Sequence, residues 1–266
     1  MNRVAFDLGF IEIYWYSITM LLGVVLGSLL AYLEIKRLKL DKEYYFNMLF
    51  YAIIFGFIGA RFYYVLFNLD YYLNNLGEII AVWNGGLAIH GGIIGGVLTI
   101  IVYSLINQRK INEILKYMDI SAVGVMIGQI IGRWGNFFNQ EAHGGISSIK
   151  FLKSLYIPDF IIKGMTINNI VYHPTFLYES LLNLIGLIIL LIVRHNKKIK
   201  NGMILSLYLI WYSIVRFFIE SMRTDSLMIG NLKMAQVISI ILIVCGIILF
   251  IYSWKKNDYY NQVVRK

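Results

Sequence analysis

Residues 13–33 and 234–254 contain no charged side chain, and each run is bounded by one at both ends: Glu12 and Glu34, Lys233 and Lys255. About 20 apolar residues in helical form cross the hydrocarbon core of a bilayer. Five further segments are apolar but hold isolated ionisable groups: 46–67 with Arg61, 86–106 with His90, 117–137 with Asp119 and Arg133, 174–193 with Glu179, and 202–221 with Arg216 and Glu220. The pattern predicts an all-α polytopic membrane protein, with seven transmembrane helices in one integral domain covering residues 1–266. Composition agrees. The chain is 59% hydrophobic and 15% charged, too apolar to cover a water-facing surface. Two prolines exclude a Pro-rich linker, and one cysteine excludes an intramolecular disulfide framework or a Cys-rich metal site.

The net charge of +9 would suggest a nucleic-acid partner in a soluble protein, but its placement argues for topology. Fifteen Lys and Arg follow the first, third, fifth and seventh helices, six lie on the opposite side, and three are within the spans. Positive-inside then predicts an external N-terminus and a cytoplasmic C-terminus. Attraction to anionic lipid is a secondary benefit, and no nucleic acid is required. The first span is expected to be retained, because it lacks the basic n-region and cleavage site of a signal peptide. Residues 138–173, rich in Gly, Ser, Asn and Ile, are predicted to form a small external cap between the fourth and fifth helices, too short to fold alone.

Intramembrane ionisable groups usually face the bundle interior and mark a site. Helix direction puts Tyr16, Arg61, His90, Arg133 and Arg216 in the outer third of the membrane. Gln129, Arg133, Asn136 and Gln140 share one helical face, provided the fourth helix reaches residue 140. Tyr212, Arg216, Glu220 and Arg223 repeat the pattern on the sixth. Guanidinium forks suit phosphate, and two near one leaflet suggest an anionic lipid headgroup. Other readings stand beside this one. Arg216 and Glu220 can simply neutralise each other, Arg61 can snorkel, Tyr16 can belong to an aromatic belt, and His90 can bond a neighbouring helix. Glycines 91, 92, 95 and 96 suit close helix packing, and Cys245 reads as inert packing. No His, Cys or carboxylate spacing suggests a metal site, and no cofactor is implied. An anion transporter using the same arginines would want polar residues continuing to the cytoplasmic side, where most spans look apolar. A structural or partner-binding protein would leave the arginines unexplained.

The stretch Gly132-Arg133-Trp134-Gly135-Asn136-Phe137-Phe138-Asn139-Gln140-Glu141-Ala142-His143-Gly144 resembles the signature of bacterial prolipoprotein diacylglyceryl transferases, G-R-x-G-N-F-x-N-x-E-x-x-G. Gly59-Ala60-Arg61, His90-Gly91-Gly92, His173-Pro174-Thr175 with Leu177-Tyr178-Glu179, and Arg216-Phe217 with Glu220 and Arg223 agree in order. The matches extend from the first helix to the end of the sixth. Two places depart from the family pattern: Tyr14-Trp15-Tyr16-Ser17 replaces a common Arg-Trp-Tyr-Gly, and Thr224-Asp225 follows Arg223 where a proline before the acid is usual.

The resemblance implies transfer of a diacylglyceryl group from phosphatidylglycerol to the lipobox cysteine in the signal peptide of a preprolipoprotein. It also implies a bacterial plasma-membrane location with the site toward the outer leaflet. The catalytic residues would be His90, Arg133 and Arg216. A free thiol titrates near ~8.5, so a base must take or disperse its proton, and His90 is the candidate. Arg133 and Arg216 would stabilise charge on the leaving phosphate. Tyr16, Asn136 and Tyr212 would orient the headgroup, and Glu141 and Glu220 would hold the arginines or bind its glycerol. Arg61, Asn139, Gly144 and Arg223 complete the implied substrate-binding set.

Overall fold

The computed structural model describes residues 2–9 and 12–262. Its long helices are α1 Trp15–Leu38, α2 Lys42–Leu66, α3 Ile89–Ile106, α4 Ile111–Asn139, α5 Thr175–Val193, α6 Met203–Met222 and α7 Met234–Lys255. All seven are long and apolar enough to span a bilayer. The strands among the described residues form only two-stranded hairpins. Two compact units result, one of Leu40–Ile114 and one of residues 1–39 with 115–266.

In the larger unit, α1 and α4 approach through glycines. A Cβ on Gly27 would lie 2.7 Å from the Gly124 carbonyl oxygen, and one on Gly23 would lie 3.0 Å from Gly128 Cα. Small residues allow such backbone contact where lipid offers no hydrophobic drive for helix association. Ser180 Oγ on α5 donates to the Ile130 carbonyl at 3.0 Å, and the Trp211 indole on α6 donates to the Leu182 carbonyl at 3.0 Å. Faces without such contacts leave Leu21, Leu29, Ile192, Phe218 and Ile248 exposed, a surface suited to acyl chains. Cys245 is also exposed on α7, so it is not the packing residue the sequence suggests.

α1 and α4 outrun their apolar stretches. α1 continues past residue 33 to Leu38, and α4 begins at Ile111 rather than 117. The charges that flank these apolar stretches are paired within the fold. Glu34, 2% exposed, takes hydrogen bonds from Arg37 at 2.5 and 2.9 Å and from the Tyr260 hydroxyl at 2.7 Å, with Arg194 at 3.5 Å. Lys116 is buried and donates to the Gln262 carbonyl at 2.6 Å. Asp119 accepts the Gly202 and Leu205 amides, each at 2.7 Å, and so supplies the otherwise orphaned donors at the start of α6 with an acceptor.

Beyond α4, two short helices, Ile149–Ser154 and Asp159–Gly164, precede a hairpin of Thr166–Ile167 with Ile170–Val171. Asn168 and Asn169 both adopt positive φ at its turn, as a two-residue type I′ connection requires. Leu152, Ile157, Ile161, Ile162 and Met165 from this segment form one buried core with Phe137 of α4 and Phe176 of α5. The predicted cap therefore gains its stability from the helix ends on which it sits.

In the smaller unit α2 and α3 pack glycine against glycine. A Cβ on Gly59 would lie 2.6 Å from the Gly91 carbonyl oxygen, and one on Gly95 would lie 2.5 Å from that of Phe55. At the far end of the pair, Tyr44 Oη and Ser104 Oγ lie 2.7 Å apart. Arg109 closes that end, 2.6 Å from Asp41 and with its guanidinium 4.4 Å from the centre of the Tyr44 ring.

Candidate active site

α4, α5 and α6 each bring one charged residue to a common point. Glu179, in the second turn of α5, is 2% exposed. Its Oε1 lies 2.7 Å from Arg133 Nη2 of α4, and its Oε2 lies 3.1 Å from Arg216 Nη1 of α6. The first contact is an ion pair rather than an aligned hydrogen bond. Arg216 Nη2 also reaches Glu220 Oε2 at 2.7 Å, one turn along its own helix. Glu220 in turn lies 3.9 Å from Arg223 Nε, and Arg223 forms a two-pronged pair with Asp225 at 3.0 Å for both bonds. Three arginines thus alternate with three carboxylates. Arg216 Nε has no hydrogen-bond partner among the described residues.

Neutral groups surround this chain of charges. Arg133 Nη1 points to Asn136 Oδ1 at 3.4 Å, and Tyr212 stands one turn before Arg216 on α6 with its ring stacked on that of Tyr208 at 6.0 Å. Asn136 and Asn139 both donate to Glu141 Oε1, at 2.8 and 3.3 Å. Glu141 therefore organises the asparagines, whereas the carboxylates on Arg133 and Arg216 are Glu179 and Glu220. Tyr16 sets its ring against Gly135, where an added Cβ would come within 2.6 Å of Tyr16 Cδ2. Gly144 threads between neighbours: its amide donates to the His173 carbonyl at 2.9 Å, and it bridges to Arg223. A Cβ there would meet His173 Cβ at 2.8 Å. Thr175 Oγ1 donates to the Ala142 carbonyl, tying the start of α5 to the same loop.

Gln140 leaves the predicted face. α4 ends at Asn139, Gln140 has φ +54°, and its side chain donates to the Gly164 carbonyl at 2.8 Å. Gln129, lower on α4, donates to the Tyr208 hydroxyl at 2.9 Å. Polar character continues below Glu179, where Asn183 and Ser213 are buried without side-chain partners among the described residues. Further along α4, about 21 Å from Arg133 by helical rise, Asp119 serves as the α6 cap described above.

The smaller unit holds the remaining two residues. Arg61, 8% exposed, directs all five of its N–H donors at backbone carbonyls. Nε bonds Ile79 at 2.8 Å, Nη1 bonds Gly85 and Gly86 at 2.8 and 2.9 Å, and Nη2 bonds Glu78 at 2.6 Å and Ala81 at 3.5 Å. The Tyr72 ring covers its guanidinium at 5.3 Å. These contacts organise the 78–86 loop. His90 stands half-buried in the first turn of α3, with its ring 6.2 Å from that of Tyr63. No group of three or more His, Cys, Asp or Glu among the described residues is placed to hold a metal.

Comparison with known proteins bears on this arrangement directly. The family model for prolipoprotein diacylglyceryl transferase matches residues 3–252. The chain belongs to that family. A phosphatidylglycerol–prolipoprotein diacylglyceryl transferase of Listeria welshimeri is 49% identical over 273 residues, covering 100% of this chain and 97% of the relative. Its counterpart in Lactobacillus acidophilus is 46% identical, covering 98% of this chain and 94% of the relative. Within this cluster, Glu179 is the carboxylate shared by Arg133 and Arg216, a role that spacing along the sequence does not assign. Its signal was faint: one acid in an otherwise uncharged span, against two arginines in need of a counter-ion.

Proposed function

We propose that this protein transfers the diacylglyceryl group of phosphatidylglycerol to the lipobox cysteine of a preprolipoprotein. The observation that carries the reading is the pair of guanidiniums, Arg133 and Arg216, held on opposite oxygens of one buried carboxylate within a family of such transferases. In the reaction the cysteine sulfur attacks the glyceryl carbon that bears the phosphate. A C–S bond forms, the C–O bond to phosphate breaks, and glycerol phosphate leaves with the electron pair. The thiol proton passes to a base, the role we assign to His90 on the chemistry of its imidazole. Negative charge grows on the departing phosphate, and two preorganised guanidiniums in a poorly hydrated site stabilise it more than water can.

Asn136, Tyr212 and Tyr16 orient the headgroup around that point. Asn139 and Glu141 fix Asn136, while Glu220, Arg223 and Gly144 hold the far side of the cluster. Arg61 contributes at one remove, by fixing the 78–86 loop. The protein resides in a bacterial plasma membrane, and we place the N-terminus and the arginine cluster toward its outer face. The test is a mass measurement. Purified protein, given phosphatidylglycerol and a lipobox peptide, is expected to add one diacylglyceryl group to the cysteine. A peptide of unchanged mass would overturn the reading.

A further inference from the structure

We infer that Glu179 is a positioning residue for the transfer: it sets the separation and orientation of the Arg133 and Arg216 guanidiniums. The inference rests on the proposed transferase function and adds a residue to it. Among the carboxylates of the described residues, Glu179 is the one paired with both arginines, one per carboxylate oxygen, at 2.7 and 3.1 Å. It joins side chains that belong to three different helices. A symmetric carboxylate offers each cation an equal share of one negative charge, which no neutral side chain can do.

Its own backbone is fixed on both sides. One turn before it, Phe176 stacks on Phe137 of α4 with ring centres 4.8 Å apart and meets Trp134 edge-on at 5.4 Å. Directly after it, Ser180 Oγ bonds the Ile130 carbonyl of α4. Toward α6, the Trp211 indole bonds the Leu182 carbonyl. The start of α5 is therefore clamped against α4 and α6 at the level of Glu179, and the carboxylate inherits that rigidity. Removing water from a carboxylate is costly unless charged partners compensate, and here they are the two guanidiniums assigned to the phosphate.

Glutamine at this position has the same size but only one acceptor oxygen. Its NH2 group would face a guanidinium, donor against donor, and one fork would turn away. Displacement by about 1 Å at a reacting centre costs on the order of 100-fold in rate. Because the charge on the phosphate grows toward the transition state, the loss is expected mainly in kcat.

The experiment compares wild type, Glu179→Gln and Glu179→Asp in detergent–phosphatidylglycerol micelles, with rates expressed per folded enzyme from a melting curve. For Glu179→Gln, kcat is expected to fall by about 10- to 100-fold, with KM for phosphatidylglycerol within a few-fold and the melting temperature near that of wild type. Glu179→Asp, which keeps both oxygens but withdraws them by one methylene, is expected to lie between. Combining Glu179→Gln with Arg133→Lys should cost less than the product of the two separate losses, since both act through one contact. A wild-type kcat in Glu179→Gln, or multiplicative losses in the double variant, would overturn the inference. If Glu179→Gln does not fold, a wild-type kcat in Glu179→Asp would do the same. Wild-type protein that transfers nothing would remove the transferase reading and this inference together, whereas active wild type with an unaffected Glu179→Gln removes only the role of Glu179.

Discussion

The ring of Tyr16 lies against the backbone of Gly135, so close that a Cβ there would come within 2.6 Å of Tyr16 Cδ2 and 2.8 Å of Thr19 Oγ1. Gly135 sits between Arg133 and Asn136 in the signature, and its bare α-carbon gives the start of α1 room beside the arginine cluster. Gly135→Ala is expected to displace Tyr16 and reduce kcat/KM by roughly 10-fold or more, as small misplacements at a reacting centre do. Steady-state transfer rates on folded variant protein check this, and an unchanged kcat/KM would detach Tyr16 from substrate orientation.

Arg61→Lys should act on a loop rather than on the phosphate. Lysine offers three donors from a single point where arginine offers five in a plane, so at least two of the five carbonyls that Arg61 reaches lose that partner. Each hydrogen bond from a charged donor is worth about 1.5–3 kcal/mol. Hydrogen exchange is the measurement, with faster exchange expected for amides in 78–86 and little change in the α4–α6 cluster. Unchanged protection of that loop would contradict the organising role.

The pair Arg223–Asp225 predicts a dependence on acid. Burial opposes ionisation of Asp225, but the two hydrogen bonds and the charge of Arg223 outweigh it, so its pKa lies below the usual value. For a depressed carboxylate, the stabilisation is present above the unfolded-state pKa of about 4. It is lost as pH falls through the lower folded-state value. Melting curves of wild type and Asp225→Asn should therefore differ at pH 7 and converge in strong acid. A difference that persists at pH 2 would mean that the charge is not the source. Since Asp225 is partly exposed, the shift in melting temperature is expected to be small.

Asp119→Ala removes the acceptor for two amides at the start of α6. Loss of a helix cap costs about 0.5–2 kcal/mol, and burial of the freed amides places this one toward the upper end. A thermal melt measures the cost. Rates per folded molecule should stay near wild type, because Asp119 lies at the other end of α4 from Arg133.

The seven helices were legible because each leaves an apolar run of bilayer length, a signal that does not depend on tertiary partners. Their polar ends were not. Glu34 and Lys116 resemble loop charges until Arg37, Arg194, Tyr260 and the Gln262 carbonyl are brought to them by folding. The arginines of α4 and α6 were visible from helical spacing, yet their common partner was not, since spacing within one helix says nothing of an acid on another. Arg61 illustrates a different limit. Its partners are backbone carbonyls, which every sequence contains and none advertises.

The central claim is that Arg133 and Arg216 stabilise the phosphate as it leaves, and the kcat of Arg133→Ala and Arg216→Ala at saturating phosphatidylglycerol tests it most directly. Removing one preorganised charge-stabilising donor typically lowers kcat by about 10²–10³-fold, and a loss of at least that size is expected for each variant, with glycerol phosphate release falling in parallel with thioether formation. Folded variants that retain a kcat close to wild type would contradict the claim.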